Sequence, residues 1–202
     1  LYPDPFEFSG IREYRKEDPM NHINWKASAR TGSLMVNQFD STTSISLSIL
    51  FDMEDRLILK YEDLVEETIR IVSSLAGRLI KNRMSFHVAS NGFDAATGAP
   101  LSMYLKSGGG KIAELNQKLA CMDSSRAACS AAELLQKEAE LKRTDHTYVF
   151  ISKNREDDLT NAMQALIGTG GQILWVLPLR PADVPFLDIP ARPHITVIPW
   201  EI

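Results

Sequence analysis

The sequence predicts an α/β fold: a doubly wound, mainly parallel sheet with helices on both faces, preceded by an N-terminal arm. Segments typical of buried strands alternate with amphipathic helices, and this alternation requires crossover connections between parallel strands. The 202 residues are 44% hydrophobic, which is enough for one continuous core. We place the boundary near Ser41, between an arm over residues 1–40 and an α/β body over residues 41–202.

The arm contains the least regular part of the sequence, residues 10–32, which we call the signature. Before it, Pro3 and Pro5 predict an extended entry segment, since proline disfavours helix in the residue that precedes it. The signature combines five basic and three acidic side chains with Tyr14 and Trp25, and no amphipathic period explains the mixture. It is either a solvated connector or a recognition surface, because arginine and aromatic residues carry binding hot spots. Residues 34–39 alternate apolar and polar and predict a short strand.

The body begins with its two clearest elements. Residues 45–52 predict the central strand, because alternation turns into a continuous apolar run that ends in Asp52. Residues 62–83 predict the longest helix, with apolar residues on one face, acidic residues in the first turn and basic residues in the last.

The later elements continue the alternation. Pro100 to Leu105 is expected at the sheet edge as an antiparallel strand, and Asn91-Gly92 is expected to form a turn. Ser130 and Glu133 form a capping box that starts one helix, and Asn154 is expected to cap the next. The remaining predictions are strands over residues 84–89, 148–152, 172–177 and 195–200 and a helix after Lys111.

The signature resembles that of the bacterial family called domain of unknown function 58. The family pattern is close to Gly-x-Arg-Glu-Tyr-x-x-Gly-Asp, followed by Ile-x-Trp-Lys-x-x-Ala-Arg. The residues that match it in order and spacing are Gly10, Arg12, Glu13, Tyr14, Asp18, Ile23, Trp25, Lys26, Ala29, Arg30 and Thr31. The chain departs from the pattern at Glu17, where the family usually has Gly, at Asn21, where Arg is common, and at Asn24, where Asp is common.

The resemblance implies a von Willebrand factor A-like fold for the body and a MoxR-type AAA+ ATPase as partner. It also implies a parent protein anchored in the membrane upstream of Leu1, with this part at the cytoplasmic face. We expect Trp25 to be buried against the body. We expect the signature to bind the protein partner through Arg12, Glu13, Tyr14, Asp18, Trp25, Lys26 and Arg30.

Charge and cysteine content restrict the function classes. A formal net charge of −4 argues against a general nucleic-acid binder, although the signature carries 5 − 3 = +2. A basic patch on an acidic body suits a protein partner. Cys121 and Cys129 fit neither a disulfide framework nor a zinc motif, so we expect small buried thiols in a reducing compartment.

Ligands bind doubly wound sheets at the carboxyl ends of the parallel strands, so the body's candidate site lies around Asp52. A metal-binding von Willebrand factor A domain would present Asp-x-Ser-x-Ser there, but Glu54 and Arg56 replace the two serines. We expect Asp52 to pair with Lys153 or with a neighbouring backbone donor, and the site to hold no metal. The predicted rim of this degenerate metal site consists of Asp52, Glu54, Ser107 and Lys153.

The other motifs form no catalytic constellation. The run Ser107 to Lys111 lacks the leading Gly of a phosphate-binding loop and the hydroxyl residue after its Lys, and the four histidines are scattered. The sequence therefore predicts a non-enzymatic interaction or adaptor domain of a membrane-associated protein, without a cofactor. The alternative is a divalent-metal-dependent enzyme or a metal-dependent adhesion module centred on Asp52.

Overall fold

The computed structural model describes residues 8–15, 18, 20, 23–39, 47–55, 61–106, 111–123, 127–168, 170–183, 189 and 191–202. The chain divides into two compact units, Leu1–Ser44 and Ile45–Ile202. Two residues of the predicted metal site, Ser107 and Arg56, lie outside the described residues.

The described part of the first unit consists of a two-stranded antiparallel sheet and one short helix. Strand β1 (Phe8–Glu13) pairs with β2 (Met35–Phe39), and helix α1 (Trp25–Thr31) lies between them in sequence. The sequence predicted β2, but it predicted neither β1 nor α1. Helix α1 has seven residues and only Ser28 buried, so it has no apolar stripe to detect. Its signals are at its ends, where Asn24 caps the first turn and Gly32 has φ 74° at the C-cap.

The second unit is built on a six-stranded sheet with the order β5-β4-β3-β6-β7-β8. Only the β4–β5 pair is antiparallel, which agrees with the predicted edge strand. The strands are β3 (Leu47–Phe51), β4 (Phe86–Phe93), β5 (Pro100–Leu105), β6 (Thr147–Ile151), β7 (Gln172–Leu179) and β8 (Ile195–Glu201). The helices are α2 (Glu62–Lys81), α3 (Ile112–Ala120), α4 (Ala131–Glu140) and α5 (Asp157–Ile167).

Each face of this sheet buries its own apolar core. Ile49 and Phe51 of β3 pack with α2 and α3, whereas Leu50, pointing to the other face, packs with α4 and α5. The predicted fold class is therefore confirmed: a doubly wound, mainly parallel, von Willebrand factor A-like α/β sheet with helices on both faces. Its strand order reverses direction at β3, so β3 and β6 end at the switch point where such sheets bind ligands.

Several local predictions are wrong. Asn91 and Gly92 do not form a turn but belong to β4. A Cβ atom on Gly92 would lie 2.5 Å from the Cε of Met122, so the glycine serves close packing. The N-cap of α5 is Glu156, not Asn154. The structure confirms the Ser130 cap, whose hydroxyl accepts from the Glu133 amide.

Candidate functional site

The carboxylate of Asp52 lies at the end of β3 and is enclosed by hydrogen bonds. Its Oδ1 accepts from the Glu54 amide at 2.8 Å and from the Asn91 Nδ2 at 2.7 Å. Its Oδ2 accepts from the Ser152 hydroxyl at 2.6 Å and from the Asn154 Nδ2 at 2.8 Å. A carboxylate offers about four lone-pair positions, and this one uses all of them within the protein. We call this arrangement the Asp52 network.

Lys153 lies beside the Asp52 network but pairs with a different carboxylate. Its Nζ donates to Asp55 Oδ1 at 2.8 Å and to the Glu54 carbonyl at 3.3 Å. Both side chains of the Lys153–Asp55 ion pair are buried. The expected pairing of Asp52 with Lys153 is therefore wrong, whereas the expected neighbouring backbone donor is present in the Glu54 amide.

The side chain of Glu54 connects the end of β3 to α4. Its Oε2 lies 3.3 Å from the amide of Ala131, the first residue of that helix, where the helix dipole favours a negative charge. The predicted rim residues Asp52, Glu54 and Lys153 are thus neighbours, but their side chains face different partners. Within the described ranges, no three His, Cys, Asp or Glu side chains are grouped so that they could hold a metal.

We expect divalent ions to leave the melting temperature of the protein unchanged. An ion at Asp52 would have to replace hydrogen bonds from Asn91, Ser152 and Asn154, which disfavours binding. An ion that did bind the folded state would raise the melting temperature. Differential scanning fluorimetry and calorimetric titration with Mg²⁺, Mn²⁺ and Ca²⁺ check this. A saturable isotherm at micromolar concentration would instead support the metal-dependent alternative.

In the signature, Arg12 and Asp18 bind each other. The guanidinium donates to both carboxylate oxygens, each at 2.7 Å, and the Arg15 amide donates to Asp18 Oδ2 at 2.7 Å. These hydrogen bonds, the Arg12 bond first, lower the pKa of Asp18 to about 2. The pair therefore has a structural role in its unit, and its predicted contact with a partner stays a prediction.

The Asp18 carboxyl should titrate near pH 2 in the folded chain, and in the Arg12→Ala variant its pKa should rise toward the ordinary 3.8. Since the folded pKa is lowered, the pair stabilises the fold at pH values above about 4, and this contribution disappears as the pH falls toward 2. Carboxyl-detected NMR titration measures both values. An unchanged titration in Arg12→Ala would show that the pair does not form in solution.

Helix α1 holds its polar side chains against β2 and turns three large ones outward. Asn24 Nδ2 donates to Asn37 Oδ1 at 2.7 Å, and the Ser28 hydroxyl accepts from the Met35 amide at 2.8 Å. Trp25 is 66% exposed, so the prediction that it is buried is wrong. Lys26 and Arg30 are also exposed. We call Trp25, Lys26 and Arg30 the α1 face. Of the other signature residues, Glu13 is exposed and Tyr14 is half-buried.

A buried polar cluster that the sequence did not predict lies near the amino ends of the strands. Arg143 donates to Glu138 Oε2 at 3.0 Å and to the Ser48 hydroxyl at 2.9 Å, and that hydroxyl lies 2.9 Å from His146 Nε2. His87 Nδ1 lies 3.7 Å from Glu138 Oε1. Burial raises the pKa of Glu138 and lowers the pKa of His87 to about 4. The sequence signal that could have predicted this cluster is the presence of two polar residues, Ser48 and His87, on buried strands.

The two cysteines are more accessible than expected. Cys121 is exposed and Cys129 is half-buried, and neither forms a disulfide. Burial raises the pKa of the Cys129 thiol, so the sulfur stays protonated and weakly nucleophilic at neutral pH.

Similarity to known proteins is confined to solved structures. No protein-family model and no curated protein matches the sequence. The chain is similar to the conserved hypothetical protein BatB from Bacteroides thetaiotaomicron, with 13% identity, 67% of each chain covered and a TM-score of 0.44. It is also similar to a von Willebrand factor type A protein from Catenulispora acidiphila, with 11% identity and a TM-score of 0.42 over 66% of this chain and 33% of that one.

A third similar structure is proximal thread matrix protein 1 from the mussel byssus, with 8% identity and a TM-score of 0.38 over 65% of this chain and 37% of that one. The chain therefore spans about a third of the length of the second and third proteins. Because all three TM-scores are below 0.5, we base the fold on the sheet topology and draw no function from these proteins.

Among the described helices, none has the length and apolar content that a membrane span requires.

Proposed function

We propose that the chain is a non-enzymatic protein-interaction domain that acts as an adaptor, and that the α1 face is its docking surface. The observation that carries the proposal is the exposure of Trp25, 66%, on a helix that is fixed to β2 from its other side. A tryptophan that is exposed beside two cationic residues lowers the solubility of the protein and adds nothing to its apolar core. Tryptophan and arginine are also the residue types that dominate binding energy at interfaces.

The Asp52 network supports the absence of metal-dependent chemistry in this proposal. A hard divalent cation binds through several oxygen ligands with free lone pairs, and a catalytic metal also keeps an open position. Here the Asp52 oxygens are occupied by donors, and the amine of Lys153 donates to the Glu54 carbonyl, which also accepts from Asn154. The alternative, an enzyme or adhesion module centred on Asp52, would need these donors to move away.

For the partner we propose a MoxR-type AAA+ ATPase, acting with a membrane-associated parent protein at the cytoplasmic face. The support for this partner is the resemblance of the signature to that of domain of unknown function 58. The charge of the α1 face indicates an acidic patch on the partner, since Lys26 and Arg30 form no ion pair among the described residues.

The test compares binding and melting in two variants of the α1 face. We expect Trp25→Ala to weaken binding to a purified MoxR-type ATPase from the same organism by about thirtyfold, the effect of losing a hot spot of about 2 kcal/mol. Arg30→Glu should weaken binding most at low salt, where repulsion between exposed charges is least screened. Both should leave the melting temperature nearly unchanged, because both residues are exposed.

Charge reversal at exposed Lys142, in the other unit, is the matched control and should leave binding unchanged. Biolayer interferometry and thermal melting supply the two measurements. If Arg30→Glu unfolds the chain, or if Trp25→Ala lowers the melting temperature as for a buried aromatic, the signature is a structural element and the docking proposal fails. Full binding by both variants would refute it as well.

A further inference from the structure

Three consecutive side chains after β6 hold the segment that follows β3: Ser152, Lys153 and Asn154. The two outer ones donate to the carboxylate of Asp52, at 2.6 and 2.8 Å. Lys153, between them, donates to Asp55 Oδ1 at 2.8 Å and to the Glu54 carbonyl at 3.3 Å. Because β3 and β6 are paired neighbours, these contacts join the carboxyl ends of the two strands.

The ammonium of Lys153 lies in a closed position formed by oxygen atoms. The side chains of Lys153 and Asp55 are only 4% and 6% exposed. The Tyr61 amide donates to Asp55 Oδ2 at 2.8 Å, which fixes this carboxylate from its other side. Carboxylate and backbone carbonyl oxygens are also the ligands that hard cations such as Ca²⁺ use. The position therefore suits a cation, and the cation that lies there is part of the chain.

The charges at the end of β3 explain why a cation is needed. Residues 52–55 include three carboxylates: Asp52, Glu54 and Asp55. Negative charges at this spacing repel one another, and a positive charge among them favours their ionised forms. The lysine ammonium is a compact point charge and can supply this effect. Unlike a bound metal ion, it cannot dissociate from the protein.

The residues at this end of β3 do not fit a divalent metal ion in addition to the ammonium. The Asp52 oxygens already accept four hydrogen bonds. The Asp55 carboxylate accepts from Lys153 and from the Tyr61 amide, and the Glu54 carbonyl accepts from Lys153 and Asn154. A metal ion would have to displace the ammonium, which is covalently held in place.

We propose that Lys153 supplies, as a tethered ammonium, the cation that joins the ends of β3 and β6, in place of a diffusible metal ion. The contact between the two strand ends is then independent of the concentration of divalent ions. The proposal concerns the α/β unit and does not depend on the α1 face.

The test removes the ammonium from the complete 202-residue chain and returns it as a free ion. Lys153→Ala should lower the melting temperature by about 6 to 20 °C, the scale for breaking a buried ion pair in a chain of this size. Propylammonium is the fragment that this substitution removes, so it should restore part of the loss. Neutral propanol and the bulkier tetramethylammonium ion, at the same concentration, should not.

Three further variants separate the charge from the packing of the side chain. Lys153→Met keeps an unbranched apolar side chain without the charge, so it should stay destabilised and should not respond to propylammonium. Adding Asp55→Asn to Lys153→Ala removes the carboxylate that is left without its partner, so the double variant should melt above Lys153→Ala and should also not respond. Lys137→Ala, at an exposed lysine of the same unit, is the control and should melt as the original chain does.

Thermal melting followed by circular dichroism measures all of these effects. If Lys153→Ala is unfolded at room temperature, the same comparison is made on the recovery of its helical signal in propylammonium. The proposal is overturned if Lys153→Met melts at the temperature of the original chain, because the charge is then not needed. It is also overturned if propylammonium stabilises Lys153→Ala no more than propanol does, or if Mg²⁺ or Ca²⁺ raises the melting temperature of the original chain.

Discussion

Replacing Asp52 by alanine is expected to lower the free energy of unfolding by about 3 to 5 kcal/mol, because it leaves several buried donors without this acceptor. The carboxylate is 2% exposed and accepts four hydrogen bonds. Without it, the side-chain donors of Asn91 and Ser152 lose their acceptor in a site closed to bulk water, and the Asn154 Nδ2 keeps only the Glu54 carbonyl. Each buried donor left without an acceptor costs about 1 to 3 kcal/mol.

Urea denaturation followed by circular dichroism measures this loss. The matched control is Asp94→Ala, because Asp94 accepts from the amides of Ala96 and Thr97 in an exposed turn, where water can replace it. We expect the control to cost less than about 1 kcal/mol, the usual scale of a net hydrogen bond. A loss at Asp52 no larger than at Asp94 would show that the Asp52 network is open to solvent. In that case the oxygens of Asp52 would be accessible to a metal ion.

Asp52→Asn separates shape from charge. The amide keeps the size of the carboxylate but replaces one acceptor oxygen with a donor, which then faces either Asn91 and the Glu54 amide or Ser152 and Asn154. We therefore expect Asp52→Asn to be destabilising as well. If it is tolerated while Asp52→Ala is not, the packing of the side chain matters more than its acceptors.

The fold could be predicted from the sequence because its elements follow simple periodicities. The apolar face of α2 contains Leu64, Val65 and Val72, all buried, and the strand predicted at residues 45–52 contains β3. Alternation of strand and helix then determines a parallel sheet, since crossovers are right-handed and join neighbouring strands. The ends of the elements were predicted less accurately than their type. Strand β4, for example, continues through Asn91 and Gly92, residues that are typical of turns.

The site could be predicted only in part, because its contacts join residues far apart in sequence. Asp52 directly follows the first strand of the sheet, and this position predicted that it would be central to the site. Its bond to Ser152 spans 100 positions, and no local pattern distinguishes Ser152 from any other serine after a strand. The choice of Asp55 as the partner of Lys153 depends on loop geometry. The exposure of Trp25 was missed because a large apolar side chain is more often buried than displayed.

The buried polar cluster leads to the second large effect, which depends on pH. Among the described residues, Glu138 has two ion-pair partners, Arg143 and His87. Arg143→Leu leaves only His87, and we expect it to lower the free energy of unfolding by about 3 to 5 kcal/mol at pH 8. At pH 5 the loss should be smaller. Burial already raises the pKa of Glu138, and Arg143 opposes that rise, so without Arg143 the pKa increases further and the folded chain takes up a proton. A group whose folded pKa is raised favours the fold at low pH and disfavours it as the pH rises.

The imidazole of His87 adds to this dependence on pH. His87 has a pKa of about 4 because of burial first and then the positive charges of Arg143 and His146. Removing Arg143 relieves part of this effect, so His87 becomes easier to protonate beside Glu138, which again favours the variant at low pH. The double variant Glu138→Gln with Arg143→Leu has no carboxylate in this cluster, so its loss of stability should differ little between pH 5 and pH 8. Urea denaturation at both pH values tests this. An equal loss for Arg143→Leu at both values would mean that Glu138 does not titrate between pH 5 and pH 8 in the folded variant, and the expected pH dependence would be wrong.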